Sequence, residues 1–468
     1  MTVKDRAAGT GRQARSVLLS VIGLHLVAET ALTPFLPQLF DRLYDIEDPQ
    51  ATGVYIWICR IVGLAALPLW GLAARRWTLH RLVLAGLCGS AVFDLLLGMA
   101  PSYAAYTVLS TLVVATNSAL LLAYPAFIAE HGDESEDGEG GRLAGVCTLV
   151  VVFHLSVVVS TLVGAGVLAL PNPRIGISAF AVLDILLAVL TYRILGRRSG
   201  ARAAAPAPVP LDAEATATGT AATGTAPRTA AVPGVAMDRR AWFTVLAFVA
   251  MIGVAFDFSV NVARPFFTEF SEGLGSGSVG SAVLFFLPSL SALAVLPLVR
   301  RCHARLGDRL LPAALAVGTV GLAWSWLADS LPALVGGRLL YGVGLGLGQV
   351  AVELWVFRAT GTAGPAYTAV ETVRNAGLLA APLAAAAAVS HDLALPLAVA
   401  AAVQFGAVLL ALRRSRATVA GTPPPPHDPP PNDPPTGSGR TTIAGPAPAR
   451  RAPDPALTAP ARSKENTV

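Results

Sequence analysis

Charged side chains inside long apolar runs are the places where this sequence could do chemistry. His25, Glu29 and Thr33 follow one another at intervals of four and so share one helical face. Asp257, Asn261 and Arg264, at i, i+4 and i+7, draw a second polar stripe beside Phe256, Phe258 and Phe266. Arg60, Asn117, Arg338, Glu353, Glu371 and Arg374 stand within other apolar runs. A charge at the centre of a bilayer helix costs roughly 2.5–3.5 kcal/mol, so each requires a partner, water or a function. Glu29 can gain and lose a proton, and Arg60 at similar depth is either its fixed partner in a salt bridge or a separate counter-charge. Both alternatives stay open, because burial raises a carboxyl pKa and a neighbouring Arg lowers it. The other reactive residue types form no catalytic grouping. The seven histidines lack HxxxH spacing, the four cysteines lack CxxC spacing, and no phosphate-binding loop is present. No metal, cofactor or enzymatic activity is therefore expected.

The elements that carry these residues follow from composition. The chain has 468 residues, 54% hydrophobic and 13% charged, with a mean hydropathy of +0.61. Soluble proteins carry about 25% charged residues, so a soluble enzyme, a nucleic-acid binder and a secreted disulfide scaffold are excluded. A net charge of +5 accompanies no basic cluster interleaved with aromatics, and no nucleic-acid partner is expected. Runs of about twenty apolar residues, the length that crosses a bilayer, fall at 17–39, 52–73, 82–100, 103–128, 144–170 and 175–195, then at 241–263, 277–299, 310–328, 332–357, 365–388 and 393–412. The expected fold is an all-α membrane protein of twelve transmembrane helices in two six-helix pseudo-repeats. Its parts are an N-terminal segment (1–16), a first bundle (17–196), a flexible linker rich in Ala, Pro, Thr and Gly (197–240), a second bundle (241–416) and a disordered Pro-rich tail (417–468).

Lys and Arg collect on the cytoplasmic side of membranes. Alternating twelve spans places twenty-three basic residues on one side and only Arg42 and Arg174 on the other. Both termini are thus expected in the cytoplasm, with the protein, read as a monomer, in a bacterial-type inner membrane. The acidic stretch Glu130–Glu139 falls on the same side, where acidic residues contribute little to orientation.

The halves also repeat locally. Thr33-Pro34-Phe35 matches Arg264-Pro265-Phe266, and basic turns follow the second and eighth spans (residues 74–81 and 304–309). With a loop of Gly71, Arg75, Arg76, His80 and Arg81, a second of Arg305, Gly307 and Arg309, and Arg338-x-x-x-Gly342-x-Gly344, the layout over about 15–415 resembles the major facilitator superfamily, nearest in layout to its bacterial drug and metabolite exporters. Arg75 stands where that family's loop has Asp, and Thr78 where it has Gly; the fifth span has glycines without the exporters' Pro. The resemblance implies alternating access around a midplane cavity, with Gly71, Arg75, Arg76, Arg305 and Gly307 at the gating loops and Glu353, Glu371 and Arg374 as a cytoplasmic gate cluster or a static clasp. The glycines 342, 344, 346 and 348 are expected to form one small-residue face.

The function expected is secondary transport, as proton-coupled export of a small amphiphilic metabolite or drug. Its substrate and proton-coupling residues would be Glu29, Asp257, His25, Arg60, Asn117, Asn261, Arg264 and Arg338. The mixed signs also suit an uptake permease for an organic anion or zwitterion. A non-transporting receptor or scaffold of the same fold is the alternative of another class.

Overall fold

The computed structural model describes residues 23–74, 76–77, 79–131, 138–193, 239–360 and 365–420. Among the described residues every regular element is helical, as a bilayer demands of backbone that must satisfy its own hydrogen bonds. The first half comprises α1 (23–30), α2 (Leu36–Tyr44), α3 (Pro49–Ala74), α4 (Leu79–Leu97), α5 (Tyr103–His131), α6 (Gly138–Ala169) and α7 (Pro173–Thr191). The second comprises α8 (Arg239–Val262), α9 (Phe267–Gly273), α10 (Gly277–Val295), α11 (Val299–Leu306), α12 (Leu310–Trp326), α13 (Leu331–Thr360), α14 (Pro365–Gly377), α15 (Ala380–Val389) and α16 (Leu395–Ala420). Where they fall on described residues, the apolar runs of the sequence each coincide with one helix or two consecutive ones. The N-terminal segment and the start of the first span (1–22), Arg75, Thr78, residues 197–238 of the linker and 421–468 of the tail lie outside the described residues, as do the side chains of the acidic stretch.

The first and seventh spans are broken at matching places. Pro34 and Pro265 each lack the N–H that a continuing helix would use, and the residues after them restart it. Phe35 and Phe266 both have φ −114° and ψ 8° as N-caps of α2 and α9. The duplication is therefore visible in backbone angles as well as in two shared residues. The first span also runs on to Tyr44 instead of stopping at 39, because Pro37 falls in the first turn of α2, where a proline is tolerated. It ends at Asp45 in a left-handed conformation, φ 54°.

The halves meet where α3 packs on α15 and α6 packs on α10 and α13. At the end of the bundle opposite the basic loops, Thr268 Oγ1 donates to Pro34 O at 2.6 Å and Gln38 Nε2 to Glu272 Oε2 at 3.0 Å. Gly53 of α3 lies so close to Pro382 and Ala386 of α15 that any side chain there would collide. This far end is closed. Toward the basic end α3 instead leaves Leu69 and Leu72 exposed.

The two basic residues stranded at the far end have helix-end partners. Arg42 donates to the carbonyls of Leu168, Leu170 (2.9 Å) and Pro171 (3.3 Å), where α6 finishes, and Arg174 donates to Ala100 O beyond α4. Cations suit helix C-termini, so both are caps that escape the charge sorting of the loops. The four glycines of α13 do not share a face. Gly342 and Gly346 back onto α10, Gly344 onto α12 and Gly348 onto Phe256, because residues two apart on a helix point about 200° apart.

Candidate functional site

Two groups of membrane-embedded charges emerge, and they are built differently. The first is a layer of arginines. Arg60 of α3 reaches across to the second half, where its Nη2 donates to Asn261 Oδ1 at 2.6 Å; its Nε is buried without a partner. Asn261 is in turn oriented by donating from Nδ2 to Asp257 O, one turn below it, at 2.8 Å. Arg264, in the bend two residues past the end of α8, faces aromatic rings, with Phe153 of α6 at 5.9 Å and Phe285 of α10 at 5.8 Å. Arg60 lies within electrostatic range of Arg264, Glu29 and Asp257. Among the described residues, no ion pair uses Arg60 or Arg264.

Beside Arg264 sits a cavity of about 20 Å³ lined by residues from both halves, among them Phe153, His154, Ser289, Arg338 and Tyr341. His154 Nδ1 and Ser289 Oγ hydrogen-bond across the halves at 3.2 Å. Arg338 is held within the second half. Its Nε and Nη2 donate to Leu284 O (3.2 Å) and Phe285 O (3.1 Å), and its guanidinium lies 3.9 Å above the Phe267 ring. Leu284 O is free for it because Pro288, four residues on, offers no N–H. Arg338 is thus the tie between α13, α10 and α9, and lines the same small cavity as Arg264.

The second group is centred on Arg374 of α14. Its Nε donates to Asp257 at 2.8 Å, Nη2 to Glu353 at 2.9 Å and Nη1 to Glu371 at 2.6 Å. Three helices contribute one carboxylate each, α8, α13 and α14, and each takes a separate nitrogen of the guanidinium. Gly253 makes the room, since a Cβ there would press on the Arg374 side chain at about 2.9–3.1 Å. The i, i+3 pair of Glu371 and Arg374 was legible in the sequence; Asp257 as their partner was not, for it lies 117 residues away.

The remaining candidates are dispersed. His25 is buried, 3.7 Å from Glu29, whose side chain is 38% exposed. The structure gives Arg60 to Asn261 and leaves Glu29 with His25. Asn117 is buried with its Oδ1 unpartnered on α5. Gly71 has open space around it, and Arg76 and Arg305 are exposed. Gly307 makes a turn at φ 50°. The loop contact that forms runs from Arg358 to Asp308 at 3.4 Å and to His303 at 3.2 Å, a pairing the sequence reading passed over although Asp308 sits inside the basic turn it singled out.

At the far end, beyond the seventh span, Gln38, Asp41, Glu47, Asp48, Thr52 and Glu269 line a cavity of about 170 Å³. Burial, with Glu272 and Asp41 adding, pushes the Glu269 carboxyl up to about 7.

Residues 18–382 match the profile of the Major Facilitator Superfamily. Among solved structures, that of the nucleoside transporter NupG superposes with a TM-score of 0.56 at 12% identity, covering 86% of this chain and 98% of that one. At that identity the likeness establishes the fold. No curated protein sequence matches this chain.

Proposed function

The chain belongs to the major facilitator superfamily, and from that premise we propose that it carries a small organic solute bearing an anionic group across the membrane by alternating access, coupled to protons. The observation that carries the substrate class is the arginine layer. Arg60 from one half and Arg264 from the other lie near each other without a carboxylate partner, one held by an amide and the other facing rings. A guanidinium inside a membrane protein costs several kcal/mol to desolvate, and a carboxylate or phosphate of the solute would offset that cost by charge-assisted hydrogen bonds. The anionic or zwitterionic alternative from the sequence is therefore preferred over a lipophilic cation or neutral drug, which would face this pair without a matching group.

Because the pair spans the two halves, an anion between them would draw the halves together from either side. The Arg374 group lies on the side of Asp257 away from Arg264, and exchange of the solute at the basic end, the cytoplasmic end in the proposed orientation, is part of the same proposal. Protons are proposed to enter through Glu29, beside His25, and through the Arg374 group, where three carboxylates share one guanidinium and leave two negative charges uncompensated.

The test is flux in proteoliposomes with and without an imposed pH gradient, over a panel of small carboxylates, organophosphates, amino acids and lipophilic cations. Gradient-driven flux of an anionic or zwitterionic compound that is lost in Arg264→Ala is expected. Flux confined to lipophilic cations overturns the substrate assignment, and flux indifferent to the gradient and to Glu29→Gln overturns the coupling.

A further inference from the structure

Two carboxyls take no part in either charged group. Asp94 of α4 is 7% exposed and Asp184 of α7 is 1% exposed. Their helices pack side by side, and the two carboxyls lie within interaction range of each other. Ser90, one turn before Asp94, donates to Asp94 Oδ2 at 3.4 Å. Both oxygens of Asp184 are buried and have no donor.

Among the described residues no positive charge is paired with these carboxyls. Tyr106 of α5 lies within electrostatic range of Asp94, and Arg174, on the same helix as Asp184, is engaged with Ala100 O and the Tyr44 ring. Around the pair, Val92, Leu95, Ile185 and Leu186 present apolar side chains outward. An ionised carboxylate without a partner in such surroundings costs far more than folding can supply, and two in contact repel besides. A counter-charge must come from solution.

We propose that Ser90, Asp94 and Asp184 form a binding site for one monovalent cation, a proton or a sodium ion, between α4 and α7. The donor set is all oxygen, two carboxylates and a hydroxyl, which suits a hard cation and lacks the nitrogen or sulfur that transition metals favour. Neither helix contributes to the arginine layer or to the Arg374 group, so the site stands apart from the proposed substrate path. Occupied, it ties α4 to α7; empty, it sets two carboxylates against each other.

The experiment uses the purified full-length protein. Thermal unfolding is compared in sodium chloride and choline chloride at equal ionic strength, and infrared spectra are searched for the carbonyl stretch of a protonated buried carboxyl. A sodium site raises Tm with sodium concentration in the wild type, and the rise disappears in Asp94→Asn and Asp184→Asn. A proton site gives no sodium effect but shows the protonated-carboxyl band, lost in the same variants. Should a single variant fail to fold, Asp94→Asn/Asp184→Asn together, which keeps the shape and needs no counter-charge, supplies the comparison. A wild type with neither the sodium response nor the band overturns the proposal, as does either signal persisting unchanged in the double variant.

Discussion

Arg374 is buried and Arg264 half-buried in the membrane-spanning bundle, and their surroundings are opposite. Arg374 has a carboxylate on each of three nitrogens, from three helices. Arg264 has two aromatic faces and, among the described residues, no acid in an ion pair with it. Where a charge is matched within the protein, it locks helices in one arrangement. Where it is left facing rings and an amide, a ligand of opposite sign is the partner we propose for it. In the proposed reading the contrast separates residues that hold the second half together from residues that receive a solute, although sequence presents all of them alike as costly intramembrane charges.

The strongest way to break the contrast is to remove the matched arginine. Arg374→Ala leaves three carboxylates around an empty space and is expected to destabilise the protein by about 3–5 kcal/mol, read as a large fall in Tm or a failure to accumulate. The open side should respond in the reverse sense. Arg60→Ala or Arg264→Ala removes a charge with no acid partner, so Tm should hold, while flux of the anionic substrate falls about 10- to 100-fold, the worth of a charge-assisted hydrogen bond of about 1.5–3 kcal/mol. A similar loss of Tm in both sets would erase the distinction.

The far end sharpens it for carboxylates. Glu269 lies among acids without a cation to match it, and its ionisation is pushed up from 4.5 to about 7 by burial first and then by Glu272 and Asp41. A raised acid favours the protonated form, so its contribution to the closed far end is complete below about 4.5 and is lost as pH rises through about 7. Spin-label distances between α2 and α9 should lengthen over that window in the wild type and lose most of the dependence in Glu269→Gln. The smallest effect belongs to the surface. Asp308→Asn breaks an exposed contact to Arg358 at 3.4 Å and should shift stability by under about 1 kcal/mol.

Much of the fold was legible in the sequence because the bilayer imposes one length and one kind of secondary structure on every crossing. The repeated Pro34 and Pro265 were visible as a matching pair, but the breaks they make in both spans, through the missing N–H, came into view only in the structure. The partners of the charges were not legible. Helical spacing placed Asp257, Asn261 and Arg264 on one stripe, yet Asp257 turns to Arg374, Asn261 to Arg60 and Arg264 to Phe153 and Phe285. Those choices depend on how α3, α6, α10 and α14 pack around α8, which no periodicity along one helix records. The far-end seal of Thr268 on Pro34 was hidden for the same reason, although it sits beside the repeated Pro-Phe pair. Arg42 and Arg174 read as exceptions to charge sorting until the carbonyls they cap came into view.

The central claim is that Arg60 and Arg264 together receive the negative charge of a solute. The direct measurement is ligand-induced stabilisation of the purified protein by pairs of compounds that differ only in a carboxylate and its uncharged amide, in the wild type and in Arg60→Ala and Arg264→Ala. The account predicts that at least one carboxylate raises the wild-type Tm, that its amide does not, and that both variants lose the rise. Equal stabilisation by the carboxylate and its amide, or a rise that survives in both variants, would contradict it.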